Sequence, residues 1–221
     1  SRPCWIRMEQ INLLHTLPVA FNGQTQIVYD VWHRELVFRK GEAYLLEAAS
    51  GTGKSSLCSY LYGYRNDYEG IICFDGRNIR ELGMREWTAL RNTSLSLLFQ
   101  ELRLFPELSA LENVELKNRL TGYKTRRQIE ACFERLGIAD KLHVAVGRIS
   151  FGQQQRVAFI RALCQPFDFI ILDEPVSHLD ERHAGAMAAL LQEELAERGA
   201  GVIVTSIGRH LPLDYTKTLY L

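Results

Sequence analysis

The stretch Ala48-Ala49-Ser50-Gly51-Thr52-Gly53-Lys54-Ser55-Ser56 decides how this chain folds. It follows a compact apolar run, Tyr44 to Ala48, and leads into the helical stretch Lys54 to Tyr62, so the local order is strand, turn, helix. Gly51 and Gly53 let successive backbone N–H groups turn toward one anion at the start of a helix, where the helix dipole also favours negative charge. Such a turn cradles phosphate. In that setting Lys54 reaches β- and γ-phosphates and the Ser55 hydroxyl ligates Mg²⁺. The pattern departs from G-x-x-x-x-G-K-[ST] at its first position, where Ala48 stands in place of glycine. The exchange is nearly free if φ there is negative and costs about 1 kcal/mol if φ is positive.

A second segment, Phe169-Ile170-Ile171-Leu172-Asp173-Glu174, is an apolar strand ending in two carboxylates. In a doubly wound sheet its end lies beside the phosphate loop of a neighbouring strand. There Asp173 holds Mg²⁺ and Glu174 serves as the general base for an attacking water. Read alone, the segment describes equally well a strand followed by a solvated acidic turn at Glu174-Pro175. The two segments together, in this order, favour the phosphate site. A third segment, Ile149-Ser150-Phe151-Gly152-Gln153-Gln154-Gln155-Arg156, precedes the helical run Val157 to Cys164. Ser150 and Gln153 have capping-box spacing, which puts Ser150 at a helix N-cap with the positive end of the helix facing outward. Spacing alone describes no more than a helix cap with a polar first turn.

Around these segments the chain is organised as one unit. Its 221 residues exceed the roughly 150 expected per domain, which allows a core with a lobed insertion. The first 45 or so residues carry short β-prone runs, Gln26 to Tyr29 and Glu35 to Phe38, and a hairpin-like piece follows at Gly70 to Gly76. They predict a small, mostly antiparallel sheet. Ser94 to Phe99 reads as a strand and Leu111 to Leu136 as helices. Strand character returns at Phe169 to Leu172, Gly201 to Thr205 and Thr216 to Leu221, around a helix from Glu181 to Glu197. The expected architecture is an α/β phosphate-loop core with a mainly parallel sheet over 1–83 and 166–221, the antiparallel subdomain included, and a helical insertion over 84–165.

Composition narrows the function. Hydrophobic residues at 47% and charged residues at 24% describe a globular chain. Lys plus Arg equals Asp plus Glu at 26 each, so no excess of positive charge draws the surface onto nucleic acid. No apolar run approaches the roughly 20 residues that span a bilayer, and Ser1 to Gln10 has no signal-peptide core. Any work at a membrane then needs a second, membrane-spanning chain. Cys4, Cys58, Cys73, Cys132 and Cys164 form no C-x-x-C pair and suit a reducing, cytoplasmic setting.

With these residues in view, the chain resembles the nucleotide-binding subunit of ATP-binding-cassette transporters over essentially its whole length. The segment 48–56 looks like Walker A, Gln100 like the Q-loop glutamine and Ile149 to Gln153 like the L-S-G-G-Q signature. Asp173 and Glu174 close a Walker B, and Ser177-His178-Leu179-Asp180 looks like the D-loop. The resemblance implies a Mg²⁺-dependent ATPase that homodimerises head to tail on ATP and docks on a transmembrane permease at the inner face of the membrane. It assigns ATP contacts to Ala49, Ser50, Gly51, Thr52, Gly53, Lys54, Ser55 and Ser56, and Mg²⁺ to Ser55, Gln100 and Asp173. Glu174 and Gln100 are the expected catalytic groups. Ser150, Phe151, Gly152, Gln153 and Asp180 are expected to act on the partner's nucleotide. Phe21 is the best candidate to stack on adenine, ahead of His15 and Tyr29.

The wording of 101–114 is similar to the lipoprotein-releasing, macrolide-exporter and cell-division branch, and to amino-acid importers, and its apolar residues are candidates for a permease socket. Three departures from the family pattern stand out: Ala48, Phe151 in place of a signature glycine, and Ser206 where the family's switch histidine falls, after Val202-Ile203-Val204-Thr205. Loss of that histidine removes a donor to the γ-phosphate and attacking water, so slow hydrolysis is expected, with Ser206 in the catalytic position. His210 is a candidate to reach back. The alternative function is a slow or non-hydrolysing ATP-switched clamp that regulates a membrane partner.

Overall fold

The computed structural model describes residues 7–21, 30–49 and 53–221. Strands β1 (Gln10–Pro18), β2 (Glu35–Arg39), β4 (Tyr68–Phe74) and β5 (Arg77–Asn78) make an antiparallel sheet in the order β2-β1-β4-β5. Strands β3 (Ala43–Glu47), β6 (Leu95–Leu98), β7 (Phe169–Asp173), β8 (Gly201–Ser206) and β9 (Lys217–Tyr220) make a parallel sheet in the order β6-β7-β8-β3-β9. The expected strand at Glu35 is present, whereas Gln26 to Tyr29 lies outside the described residues. The long strand β1 had no clear sequence signal, because its alternation is interrupted by a bulge between Leu14 and Leu17.

Period-two alternation on the buried strands builds two cores. Leu45, Ile170, Leu172, Val202 and Val204 face one side of the parallel sheet, against the helices. Tyr44, Leu46, Phe169, Ile171 and Ile203 face the other, toward the antiparallel sheet and helix α1 (Lys54–Leu61). Strands covered on both faces are apolar at nearly every position, which is why β7 reads as a continuous hydrophobic run.

Helices α3 (Ala110–Asn118), α4 (Arg126–Arg135), α5 (Phe151–Leu163) and α6 (Glu181–Arg198) gather on the first side. Helix α2 (Met84–Thr93) instead leads directly into β6, so the segment 84–165 includes an edge strand of the parallel sheet as well as helices. Helices α3, α4 and α5 each start on a capping box, from Ser109, Thr125 and Ser150.

Gly70 shows how tightly the small sheet is drawn. It has φ 84°, and a Cβ placed there would sit 2.4 Å from the His15 carbonyl oxygen across the bulge. Gly76 also has a positive φ, 79°, but faces open space. Gly70→Ala is expected to destabilise the protein by about 3 kcal/mol, from backbone strain plus the clash, and Gly76→Ala by about 1 kcal/mol from strain alone. Urea unfolding midpoints of the two variants check the difference; equal losses would refute it.

Candidate functional site

The site forms where β3, β7 and β8 end. Their registers align Asp173 with Thr205 and Leu46 with Thr205, and the chain continues from β3 into Ala48 and from β7 into Glu174. Two backbone bonds lock these exits: Ala48 N–H donates to the Ser206 carbonyl at 2.9 Å and Glu174 N–H to the Thr205 carbonyl at 3.1 Å. Ala48 is not among the residues with positive φ, so its methyl group introduces no backbone strain. Ser50, Gly51 and Thr52 lie outside the described residues, as does Tyr29. Gly53 caps α1 at φ 89°, and a Cβ there would meet Phe21 and Trp32 at 3.0 Å each.

Lys54 is the centre of the site. Only 6% of it is exposed, and its ammonium lies 2.6 Å from Asp173 Oδ1, 3.1 Å from Glu174 Oε2 and 3.2 Å from Gln100 Oε1. Burial pulls the ammonium toward its neutral form, but hydrogen bonds and attraction to Asp173 and Glu174 outweigh this and hold its pKa above the ordinary lysine value. Ser55 Oγ donates toward Asp173 Oδ2 at 3.2 Å and lies 3.3 Å from Gln100 Oε1. Ser55, Gln100 and Asp173 thus bring hydroxyl, amide and carboxylate oxygens together, the hard donor set that suits Mg²⁺. Among the described residues no group of three or more His, Cys, Asp or Glu side chains gathers at one point, so a cation here draws further ligands from phosphate or water.

Glu174 has φ 49°, left-handed for a non-glycine residue, so the turn that presents its carboxylate is strained. A cleft of about 410 Å³ opens over these groups, lined by Phe21, Ala49, Gly53, Ser56, Gln100 and Ile207, among others. Phe21 therefore shares the cleft with Lys54. His15 does not line it; its ring meets the His33 carbonyl at 3.0 Å on the antiparallel sheet.

The segment around Ser150 lies apart from that cleft. Ser150 Oγ accepts from Gln153 N–H at 3.2 Å and Gln153 Oε1 accepts from Ser150 N–H at 3.0 Å, the reciprocal pair its spacing predicts. Gly152 is pressed against the 177–180 turn, where a Cβ would come within 2.5 Å of the His178 carbonyl oxygen. The neighbouring Phe151 points outward, 40% exposed, with its ring 4.4 Å from that of His178. Only the glycine that this helix keeps is sterically required. Asp180 caps α6, accepting from His183 N–H at 2.8 Å, and its carboxyl is held below the usual aspartate range by that bond.

Three contributors carry no signal in the sequence. Thr205 Oγ1 donates to Asp173 Oδ1 at 2.7 Å, and only the strand register brings them together. Gln155 is buried between segments, donating to Ser177 Oγ at 2.8 Å and accepting from His178 N–H at 3.1 Å. Arg209 donates to the Leu179 carbonyl. Ser206, 1% exposed, donates its hydroxyl to the Arg209 carbonyl at 2.5 Å, so the one O–H it has is engaged within its own loop. His210 is 46% exposed and lies 3.9 Å from Glu47, beside Tyr215.

A parallel sheet covered on both faces, with a lysine opening the helix after β3 and two carboxylates at the end of β7, defines a phosphate-loop nucleotide-binding fold. Residues 33–177 match the family model described as ABC transporter. The chain is 30% identical over 93% of its length to the lipoprotein-releasing system ATP-binding protein LolD of Shewanella denitrificans, covering 88% of that protein. It is 34% identical over 83% of its length to the macrolide export ATP-binding/permease protein MacB 1/2 of Paracoccus denitrificans, of which it spans 27%. Among solved structures, the dimeric bacterial ABC transporter cassette MJ0796 superposes with a TM-score of 0.75 at 28% identity, over 89% of this chain and 87% of that one. The chain belongs to the ABC transporter family, as an ATP-binding ATPase domain.

The buried lysine has a consequence for stability against pH. Because its folded pKa is raised, the stabilisation from Lys54 is fully present below the unfolded value of about 10.5 and is lost as pH rises through the higher folded value. Thermal unfolding of wild type and Lys54→Met is expected to differ up to pH about 10.5 and to converge above it; a constant difference would refute the assignment.

Proposed function

We propose that this chain is the ATP-hydrolysing subunit of an ABC transporter, that it homodimerises on Mg-ATP to drive a separate transmembrane permease, and that it turns over slowly. The observation that carries this reading is the convergence of Ser55, Gln100, Asp173 and Glu174 within reach of the Lys54 ammonium. Phosphates entering at Gly53 compete for the Lys54 ammonium, which leaves Glu174 for them. That exchange frees the Glu174 carboxylate to accept a proton from the attacking water. Ser55, Asp173 and Gln100 would hold the metal, with Thr205 restraining Asp173. Mg²⁺, when bound, offsets the charge of the β- and γ-phosphates. Phe21 closes the adenine end of the cleft.

Ser150, Phe151, Gly152, Gln153 and Asp180 are assigned to the face that meets the second cassette. The outward ring of Phe151 and the exposed cap of α5 support this placement. Docking of the permease is supported by a cleft of about 310 Å³ lined by Tyr64, Phe99, Arg103, Phe105, Leu116 and Leu120, among others. Of the apolar residues in 101–114, Leu102, Leu111 and Val114 are buried in the helical core, whereas Phe105 is 55% exposed. Asn113 props Phe105 out by accepting from its N–H at 2.8 Å and donating to its carbonyl at 3.1 Å. Likeness to LolD and MacB favours export of lipoproteins or small molecules.

The slow-clamp side of the reading draws on Ser206, whose hydroxyl serves the Arg209 carbonyl and adds no donor at the phosphates. Mg-ATP turnover is expected to be slow in the wild type and to fall by about 100-fold or more in Glu174→Ala. Per assembled dimer, Ser206→His is expected to raise it by about tenfold or more. Turnover that survives Glu174→Ala would refute the site, and fast wild-type turnover indifferent to Ser206→His would refute the slow clamp.

A further inference from the structure

Beyond Ser206 the chain makes a tight turn through Ile207, Gly208 and Arg209 before His210. Gly208 supplies the reversal with φ 84°, in open space. Ser206 closes the turn from inside, through its hydroxyl on the Arg209 carbonyl. This fixes the backbone of Arg209 relative to β8, and its guanidinium crosses to the Leu179 carbonyl, one residue before Asp180. Arg209 makes no ion pair among the described residues. Its bond to Leu179 is charge-assisted, the stronger kind.

The same short segment is also held by Gln155 of α5, through Ser177 and His178. On the nucleotide side, the carbonyl of Ser206 receives the N–H of Ala48 at the entrance to the phosphate loop. One run of contacts therefore connects the phosphate loop, the end of β8, Arg209 and the backbone that presents Asp180.

We propose that Ser206 and Arg209 form a latch: Ser206 pins the turn that aims Arg209 at Leu179, and the latch sets the 177–180 segment in the arrangement the second cassette binds. Both are positioning residues, serving ATP-driven association rather than chemistry at the γ-phosphate. The proposal rests on the reading that the cassette dimerises on ATP. It also accounts for a buried serine at a position where the family pattern places a histidine, since an imidazole there would displace the bond that closes the turn.

The test uses the full chain carrying Glu174→Gln, so that bound ATP persists, with Mg-ATP-dependent dimerisation followed by sedimentation equilibrium. Arg209→Gln and Ser206→Ala are each expected to weaken dimerisation about tenfold, and the double variant no more than either alone, because both break one latch. Arg209→Lys, which keeps a charged donor, is expected to recover most of the loss. ATP affinity of dilute, monomeric Arg209→Gln should stay within about twofold of the parent. Hydrogen exchange without nucleotide should show faster amide exchange over 176–180 in Arg209→Gln.

Parental dimerisation with parental exchange in Arg209→Gln would overturn the latch, as would additive losses in the double variant. If the parent itself stays monomeric with ATP, exchange still decides. Faster exchange over 176–180 then upholds the contact and removes the dimer reading, with the latch's role in association. Unchanged exchange removes the contact as well.

Discussion

A lysine ammonium buried among two carboxylates is the constraint around which this molecule is arranged. Lys54 is held by Asp173 and Glu174; without the lysine two adjacent carboxylates would face each other with no cation beside them, and without the carboxylates a buried ammonium would lose its counter-charge. The arrangement is stable enough to persist and polar enough to be remade. On the function proposed above, a triphosphate would offer the ammonium equivalent charge, so nucleotide binding would be an exchange of partners for Lys54 rather than the creation of a charged site from nothing. In that proposal the same exchange would make Glu174 available, joining binding to chemistry through one side chain.

The parallel sheet sets the geometry of this exchange. Register places Thr205 opposite Asp173 and Ser206 opposite Glu47, so successive residues at the end of β8 have different neighbours. Thr205 reaches across to Asp173, and Ser206 turns to its own loop. One residue step on one strand thus separates a side chain that holds the Asp173 carboxylate from one that shapes a turn. The two cores reinforce this precision, since strands buried on both faces have little freedom to slide.

Much of this was legible in the sequence, and for identifiable reasons. Lys54, Ser55, Asp173 and Glu174 belong to short patterns whose spacing is fixed by a strand-to-helix turn or a strand end, and the structure brings all four together. The capping box of Ser150 and Gln153 was legible because it is local. Thr205, Gln155 and Arg209 were not, because their partners lie 22 to 32 positions away and are reached only through register, helix packing and a turn. Strand β1 was missed because its bulge breaks the alternation by which strands are recognised.

The three departures from the family pattern differ in kind once the backbone is known. A glycine in a motif can be kept for its φ, for the space its missing Cβ leaves, or for neither. Ala48 sits in an ordinary conformation and Phe151 directs its ring outward, so both replaced glycines belong to the last group. Gly152 belongs to the second, with the His178 carbonyl where a Cβ would be, and it is retained. Ser206 is different: set against the histidine that the family resemblance leads one to expect there, the comparison concerns a side chain's donor and not the shape of the backbone. Its single O–H is engaged within the turn it closes. Neither glycine replacement strains the described backbone, and Ser206 commits its hydroxyl to the Arg209 carbonyl of its own turn.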